Sequence, residues 1–229
     1  EWTDRTWNPT RGCSRISPGC LHCYAERFAI RFAGPGQPYE GLVRSTPSGP
    51  RWTGKVRFVA EALAEPLGWR EPQRVFVDSM SDLFHEDLDD EEILAVFGAM
   101  AAAPRHTFQV LTKRAKRMRK WFAWFDRERP LDAFIVPRLI EHAAVSAQRL
   151  GAQREADRLF RAANERAGVN TWPLPNVWLG VSVENQERTE ERVPELLRVP
   201  AAVRFLSIEP LLGPIDLGPW LLDSYECDE

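Results

Sequence analysis

The chain has 229 residues, of which 44% are apolar, and it carries a formal net charge of -3 at pH 7. This length and apolar content are typical of one large folded domain and exclude disorder as the main state. The near-balance of charge excludes a global positive field, so a contact with nucleic acid would have to come from a local patch. No apolar run reaches the length of a membrane helix and the first residues carry no export signal, so we expect a cytoplasmic protein with no membrane partner.

Strand-like and helical patterns alternate along the chain. Short β-rich runs predict strands over residues 56–59, 74–79, 107–112, 177–183 and 203–208. Helical patterns fall over residues 60–67, 91–103, 113–125 and 186–198, and Asp89 and Asp90 supply capping chemistry for the second of them. Strands separated by helices of this length form parallel βαβ units. The pattern predicts an α/β fold, either an open doubly wound sheet or a complete or partial barrel.

Residues 126–176 interrupt this alternation. They contain a helical stretch rich in Ala and Arg over residues 136–167 and a proline-rich segment over residues 172–175. No internal repeat or low-complexity tract divides the chain. We therefore predict a single domain over residues 1–229, with a helical insertion over about 126–176.

Polar side chains follow four of the predicted strands at the point where each strand ends. Parallel α/β folds bind ligands at the carboxyl ends of their strands, so these residues predict a ligand site. Each one taken alone is also explained as a turn former or a helix cap. After the second, third, fourth and fifth strands, the residues are Ser81, Asp82, His85 and Glu86; Lys113 and Arg114; Glu184 and Asn185; and Glu209.

Three of the four cysteines, Cys13, Cys20 and Cys23, lie close together, whereas Cys227 lies almost at the other end of the sequence. Clustered thiols in a reduced compartment indicate metal or cluster ligands and not a disulfide framework. Proline and glycine residues keep the segment out of regular helix until about Tyr24, so we expect the thiols on a loop. Three thiolates without a close fourth ligand leave one coordination position open for a substrate or cofactor.

A structural zinc site is the main alternative interpretation of this segment. Such sites are normally closed by a fourth protein ligand. Here that ligand would be His22, which lies between two cysteines and would have to fold back sharply, or the distant Cys227.

Five separated motifs carry a resemblance to a known family. They are residues 7–26 (WNPTRGCSRISPGCLHCYAE), 79–86 (SMSDLFHE), 111–114 (LTKR), 179–185 (LGVSVEN) and 207–213 (SIEPLLG). With these motifs, nearly the whole chain resembles an uncharacterised phage-associated family of three-cysteine proteins, which is itself similar to radical S-adenosylmethionine (SAM) enzymes of the spore photoproduct lyase type. The resemblance implies a partial or distorted parallel (β/α) barrel of the radical SAM type.

The resemblance also implies cofactors. Cys13, Cys20 and Cys23 would bind a four-iron four-sulfur (4Fe-4S) cluster, and SAM would bind the fourth iron. An electron from a donor of the flavodoxin or ferredoxin type would cleave SAM and release a 5′-deoxyadenosyl radical, which takes hydrogen from a substrate. The interval of six residues between Cys13 and Cys20 is longer than is usual in radical SAM enzymes.

Residues after the strands are assigned roles around these cofactors. Asp82 and His85 are the predicted catalytic residues, because a histidine in such a group relays a proton or hydrogen-bonds a substrate. Loop fixing is the alternative role for this pair, and helix capping is the alternative for Asn185. The predicted cofactor-binding residues suit the hydroxyl and amino groups of a nucleoside, and they are Ser182, Glu184, Asn185 and Glu209.

The predicted helix over residues 113–125 has a basic face and an apolar face. At 100° per residue, Met118, Trp121, Phe122 and Phe125 fall on the apolar face and belong to the core. Only Trp124 projects with the cations, where it would stack on a base or cover a neighbouring loop. The face predicts a nucleic-acid contact, with a simple solvated face as the alternative. Its residues are Lys113, Lys116, Arg117, Lys120 and Trp124.

The leading hypothesis is therefore a radical SAM-like iron–sulfur enzyme that acts on an unknown substrate, with nucleic acid (DNA repair or modification) among the candidates. The alternative hypothesis is a non-catalytic protein that binds nucleic acid and in which zinc or a cluster only stabilises the N-terminal loop.

Overall fold

The computed structural model describes residues 2–128 and 134–221. Its strands are β1 (Arg5–Trp7), β2 (Thr10–Arg11), β3 (Val43–Arg44), β4 (Arg51–Trp52), β5 (Arg57–Phe58), β6 (Arg74–Val77), β7 (Thr107–Thr112), β8 (Val177–Ser182) and β9 (Val203–Ser207). Its helices are α1 (Tyr24–Ala29), α2 (Asp90–Ala102), α3 (Ala115–Glu128), α4 (Ile135–Arg149), α5 (Gln153–Glu165), α6 (Gln186–Leu197) and α7 (Gly218–Leu221).

Five of the strands form one parallel sheet in the order β1-β6-β7-β8-β9. The prediction of an α/β fold with parallel strands is confirmed. Neighbouring strands follow chain order, without the reversal that defines a doubly wound sheet. Because crossovers between parallel strands are right-handed, this order directs the connecting helices to one face of the sheet.

The two faces of the sheet have different surroundings. Side chains alternate between the faces of a strand, and Val75, Val110 and Leu179 point to the face where the helices pack. These three residues are at most 1% exposed and belong to one apolar core with residues of α2 to α6. Phe76 and Trp178 point the other way, are only half-buried and line cavities. The sheet therefore has one covered face and one open face.

Within the described ranges, the sheet ends at β1 on one side and at β9 on the other, and no closed barrel is formed. None of the described helices has the length and apolar content that a membrane crossing requires.

Local chemistry explains where the helix before β7 begins. Asp89 is the residue before α2, and its backbone amide donates to the Glu92 carboxylate at 3.0 Å in a capping box. This is the helix start that the sequence predicts.

The structure differs from the predicted elements in three places. The strand predicted over residues 56–59 is β5, which pairs antiparallel with β2 outside the central sheet. The helix predicted over residues 60–67 consists of two short 3-10 turns, Ala60–Ala62 and Glu65–Gly68, and Pro66 lies in the second. The helical stretch predicted over residues 136–167 is divided into α4 and α5 at Gly151, which has φ +82°. The sequence patterns do not indicate the three-residue strand β1.

Gly98 controls how closely α2 approaches α4. A methyl group at this position would lie 2.0 Å from the carbonyl oxygen of Leu139 and 2.9 Å from the Cβ atom of Ala143. We expect Gly98→Ala to lower the free energy of unfolding by about 1–3 kcal/mol, because the two helices must separate. Helix propensity alone would favour alanine by up to about 1 kcal/mol, so the two effects have opposite signs. Urea denaturation followed by circular dichroism measures the difference.

The matched control is Gly34→Ala, where the added methyl would meet only the Cγ atom of Gln37 at 3.8 Å. A Gly98→Ala variant that is as stable as this control would contradict the packing described for α2 and α4.

Candidate functional site

The cysteine loop, residues 12–23, connects β2 to α1. Its three thiols belong to Cys13, Cys20 and Cys23, and all three are unpaired and half-buried. Gly12 begins the loop with φ +90°, and a methyl group there would lie 2.3 Å from the carbonyl oxygen of Lys55. A 3-10 turn over Pro18–Cys20 precedes the last cysteine, and regular helix starts at residue 24. The expectation that the thiols lie on an irregular loop is confirmed.

The three thiols are electrostatic neighbours. Burial raises the pKa of Cys13 to about 12, the Arg114 guanidinium lowers it, and negative charge on Cys20 or Cys23 raises it. Over the described part of the chain, no group of three or more His, Cys, Asp or Glu side chains is placed to hold a metal ion. The thiols thus share one region without the convergence that a single bound ion requires. Cys227, a candidate zinc ligand, lies outside the described residues.

Arg114 ties the cysteine loop to the end of β7. Its side chain is buried, and its Nη2 donates to the carbonyl oxygen of Ser14 at 3.1 Å and to the Oγ atom of Ser14 at 2.7 Å. Its Nη1 lies 3.8 Å from the Sγ atom of Cys13 and donates to Asp82 at 3.1 Å. Its Nε donates to Glu86 at 2.7 Å. One guanidinium therefore joins the loop to the ends of β6 and β7.

Asp82 and His85, the predicted catalytic residues, belong to this same network. The Asp82 Oδ1 accepts a hydrogen bond from the Thr112 hydroxyl at 2.6 Å, and Oδ2 accepts from Arg114. The ring of His85 is 2% exposed, and its Nε2 lies 2.9 Å from the Ser14 Oγ. Burial and the charge of Arg114 lower the pKa of His85, so the ring is neutral at pH 7. Both side chains contact the groups that hold the cysteine loop, and their catalytic role stays a prediction.

Glu184 holds the other end of the loop from the end of β8. Its carboxylate is fully buried, and it accepts a hydrogen bond from the Gly19 amide at 3.3 Å. It also pairs with the buried guanidinium of Arg192 at 2.8 Å. Burial opposes ionisation of Glu184, but a hydrogen bond from Ser17 and the charge of Arg192 together lower its pKa. A buried carboxylate is thus kept ionised at the base of the turn that carries Cys20.

A cavity of about 490 Å³, the ligand cavity, opens at the carboxyl ends of the strands beside the cysteine loop. Its volume suits a small organic ligand. Cys23 lines it from the loop side, and Trp2, Phe76 and Leu111 give it apolar walls. Its polar lining includes Lys113, Ser182, Ser207 and Glu209.

The four predicted cofactor-binding residues have different positions. Ser182 and Glu209 line the ligand cavity, as a cofactor-binding role requires. Glu184 lies beneath the loop. Asn185 caps α6, because its side chain accepts a hydrogen bond from the Arg188 amide at 3.0 Å.

A second cavity of about 500 Å³ continues along the open face of the sheet and shares Trp2, Ser207 and Glu209 with the first. Trp178 and Phe205 make it mainly apolar. The Gln109 amide lies in it, and its nitrogen donates to the Trp2 carbonyl oxygen at 3.1 Å. The Oε1 atom of Gln109 is buried and has no hydrogen-bond partner among the described residues. This cavity therefore offers a mainly apolar wall, and the Gln109 amide is its buried polar group.

The predicted nucleic-acid face is only partly free. Lys116 lies 3.6 Å from a carboxylate of α6, and Arg117 pairs with a carboxylate of α2 at 2.7 Å. Lys120 is exposed. Trp124 is half-buried and packs beside Trp121, with the ring centroids 6.2 Å apart, so it covers the core instead of projecting with the cations.

Sequence reasoning missed three residues that hold the cysteine loop, namely Ser14, Glu26 and Arg192. Glu26 is 1% exposed, pairs with Arg15 of the loop and accepts a hydrogen bond from the Trp52 amide at 3.0 Å. A signal existed only for Arg192, which shares the buried stripe of α6 with Leu196, four residues further on.

The chain is a parallel α/β protein with a cavity at the carboxyl ends of its strands. Proteins of this class bind their ligands at that place. The profile of one protein family matches residues 1–223, and the chain belongs to this family, which is described as "Protein of unknown function (DUF5131)". No curated protein and no solved structure matches the chain. The family description names no activity, cofactor or source.

The network around Arg114 can be tested with Arg114→Lys. A lysine ammonium lacks the planar fork that bonds Ser14, Asp82 and Glu86 together. We expect the free energy of unfolding to fall by about 2–4 kcal/mol, because buried partners lose their hydrogen bonds. Amide hydrogen exchange over residues 12–23 should become faster, and mass spectrometry measures it.

Arg117→Lys is the control, because its partly exposed ion pair contributes about 1 kcal/mol or less. Equal effects of the two substitutions, or unchanged exchange in the loop of Arg114→Lys, would contradict the proposed anchoring.

Asp78 follows β6 beneath the start of the cysteine loop and is the one described non-glycine residue in the left-handed region, with φ 58°. Its Oδ1 accepts a hydrogen bond from the Thr10 amide at 3.0 Å, whereas its Oδ2 is buried and has no partner among the described residues. Burial raises the pKa of Asp78 to about 8. Between about pH 4 and pH 8 the folded protein retains a proton that the unfolded chain releases, so this carboxyl lowers stability as the pH rises.

The Asp78→Asn substitution keeps the shape of the side chain and tolerates the same φ, but the amide does not titrate. We expect the free energy of unfolding at pH 8 to increase by at least about 1 kcal/mol relative to wild type, and this gain to shrink as the pH falls toward 4. Urea denaturation across this pH range provides the measurement. A variant whose stability runs parallel to wild type at every pH would show that Asp78 is ionised in the folded protein.

Proposed function

We propose that this protein is an iron–sulfur enzyme of the radical SAM class, with a 4Fe-4S cluster on Cys13, Cys20 and Cys23 and SAM in the ligand cavity. One observation carries the proposal: three unpaired thiols lie on a loop at the carboxyl end of a parallel sheet, and one of them lines a cavity of about 490 Å³. When bound, the cluster and SAM together would supply a 5′-deoxyadenosyl radical.

The donor set suits a cluster in its chemistry. In a cubane, each cysteine bonds a different iron, so the thiols have to surround a volume and do not meet at one point. The three thiols here are unpaired and are electrostatic neighbours on one loop. Burial raises the pKa of the Cys13 thiol to about 12 and outweighs the Arg114 guanidinium, 3.8 Å from the sulfur, which lowers it. A bound cluster would therefore have to displace the thiol proton.

The residues of the ligand cavity suit SAM. Lys113 would bind the carboxylate of the methionine part, because it is the one described lysine or arginine that lines this cavity. Ser182 and Glu209 would bind hydroxyl or amino groups of the nucleoside. Trp2, Phe76 and Leu111 would pack on the base and exclude water.

The fold supports a partial barrel of the radical SAM type. The sheet order follows chain order, which is the connectivity of a singly wound barrel and not of a doubly wound sheet. The open face would then be the inner face of the partial barrel, and the second cavity on it would hold the substrate next to SAM. A flavodoxin- or ferredoxin-type donor would supply the electron. Nucleic acid is a candidate substrate because Lys113 lines the ligand cavity and also belongs to the basic face of α3.

A non-catalytic protein that binds nucleic acid and is stabilised by zinc or a cluster is the second candidate. One observation favours it: Asp82, His85 and Glu184 contact the cysteine loop or its anchors, so these polar residues already have structural roles. Under this alternative, the metal would only stabilise the loop.

The proposal predicts the metal content of the protein. Protein purified without oxygen should contain about four iron and four sulfide per chain and show a cubane EPR signal after reduction. Addition of dithionite and SAM should yield 5′-deoxyadenosine, which chromatography detects. Cys13→Ala, Cys20→Ala and Cys23→Ala should each lose the signal and the product.

Two controls separate the candidates. Cys227→Ala and His22→Ala replace the residues that would complete a zinc site, and both variants should keep the cluster. Colourless protein with one zinc per chain, lost in either control variant, would reject the enzyme and support the zinc-stabilised alternative.

A further inference from the structure

A separate pocket of about 230 Å³, the α3 pocket, lies between the cysteine loop, the start of α3 and α6. Of its ten lining residues, six are Lys or Arg and two are Glu. The residues are Ile16, Glu86, Lys113, Arg114, Ala115, Lys116, Arg117, Arg188, Glu191 and Arg192.

Cations outnumber carboxylates by six to two among the residues that line this pocket, and most of these cations have partners in the fold. All four arginines of the pocket pair with carboxylates that do not line it. These carboxylates belong to Asp82, Asp90, Glu184 and Glu187. Of the two lining carboxylates, Glu86 pairs with Arg114, and Glu191 pairs with Arg188 and lies 3.6 Å from Lys116. Five of the six lining cations thus have carboxylate partners, and Lys113 is the one without an ion pair among the described residues.

The start of α3 adds a second source of positive potential. The first intrahelical hydrogen bond runs from the Met118 amide to the Arg114 carbonyl oxygen at 3.0 Å, so the amides of residues 115–117 precede it. Helices favour acidic residues in their first turn, but the first turn of α3 has none. Instead, Lys116 and Arg117 lie at the positive end of the helix dipole. Asp90 and Glu191 offset part of this charge, and a bound anion would offset more of it.

An independent observation points to a missing acceptor. Arg192 is 2% exposed and lines the pocket, and its Nη1 is used by Glu184 and the Ser182 carbonyl oxygen. Its Nε is buried and has no hydrogen-bond acceptor among the described residues, and the same is true of the Nε of Arg188. Two unsatisfied guanidinium donors beside one pocket are unusual, because a buried donor without a partner is costly.

We infer that the α3 pocket binds a phosphate group, either free or in the backbone of a nucleic acid. A tetrahedral oxyanion offers acceptors both to the amides of the first turn and to the guanidinium groups of α6. The site stands on these contacts alone and does not depend on the proposed iron–sulfur chemistry. It restricts the predicted nucleic-acid face to its first turn, because Lys120 and Trp124 do not line the pocket. Lys113 lines both this pocket and the ligand cavity, so a bound phosphate would lie close to that cavity.

Isothermal titration of the full chain at constant ionic strength tests this site with two probes. One probe is inorganic phosphate, and the other is a short single-stranded DNA without terminal phosphates. We expect saturable binding of at least one probe. Tighter binding of the DNA would assign the site to a phosphodiester, and tighter binding of inorganic phosphate would assign it to a free phosphate group.

Lys116→Gln and Arg188→Gln should each weaken binding by about tenfold, because each removes a cation from the pocket. Lys120→Gln is the matched control, since it removes the same charge one turn further along α3, outside the pocket, and it should change binding by about twofold or less. Lys116 is exposed, so its replacement tests the site even if Arg188→Gln does not fold.

Failure of wild type to bind either probe in a saturable way, or equal weakening by Lys116→Gln and Lys120→Gln, would overturn the proposal. The titration detects phosphate and not SAM cleavage, so its failure is distinguishable from a failure of the proposed function.

Discussion

The buried guanidinium of Arg114 is the interaction on which the placement of the cysteine loop depends. A buried charge is tolerated only when its hydrogen bonds are satisfied, and the partners of Arg114 come from two segments besides its own. Ser14 belongs to the loop, and Asp82 and Glu86 follow β6. The sheet cannot bury this cation without also positioning the loop, because the loop supplies two of its acceptors. The burial of Arg114 at the carboxyl ends of β6 and β7 and the placement of Cys13 are therefore coupled.

The same physical solution recurs at β8, where the buried pair of Glu184 and Arg192 holds the Gly19 amide. Both anchors bind backbone or hydroxyl groups of the loop. The sulfur atoms of Cys20 and Cys23 take no part in these anchoring contacts. A loop that is held by its backbone can present its side chains to a ligand. This arrangement suits a site in which thiols bind an inorganic centre and the loop itself is already positioned.

Strand order decides what lies beside that loop. Because consecutive strands are neighbours, the helices pack on one face and the other face stays open. The two large cavities are both lined by Trp2 and Glu209. One lies along this open face, and the other lies at the strand ends, where Cys23 lines it. The α3 pocket lies on the other side of Lys113, and this lysine lines both the α3 pocket and the ligand cavity. The ligand cavity and the α3 pocket thus both adjoin the cysteine loop, so the proposed cofactor and phosphate sites are neighbours.

The amino-acid sequence by itself determined the parallel α/β class, most of the strands and helices, and the loop character of the cysteine segment, since hydrophobic period, capping residues and proline or glycine act over a few residues. It also indicated that polar groups gather at the strand ends, and Ser182 and Glu209 do line the cavity there. Only the tertiary structure decided that Glu184 and Asp82 help to hold the loop, that Trp124 covers the core and that β1 borders the sheet. Those outcomes depend on pairs of residues up to 165 positions apart in the chain, such as Gly19 and Glu184. Local sequence patterns do not indicate a partner at that distance.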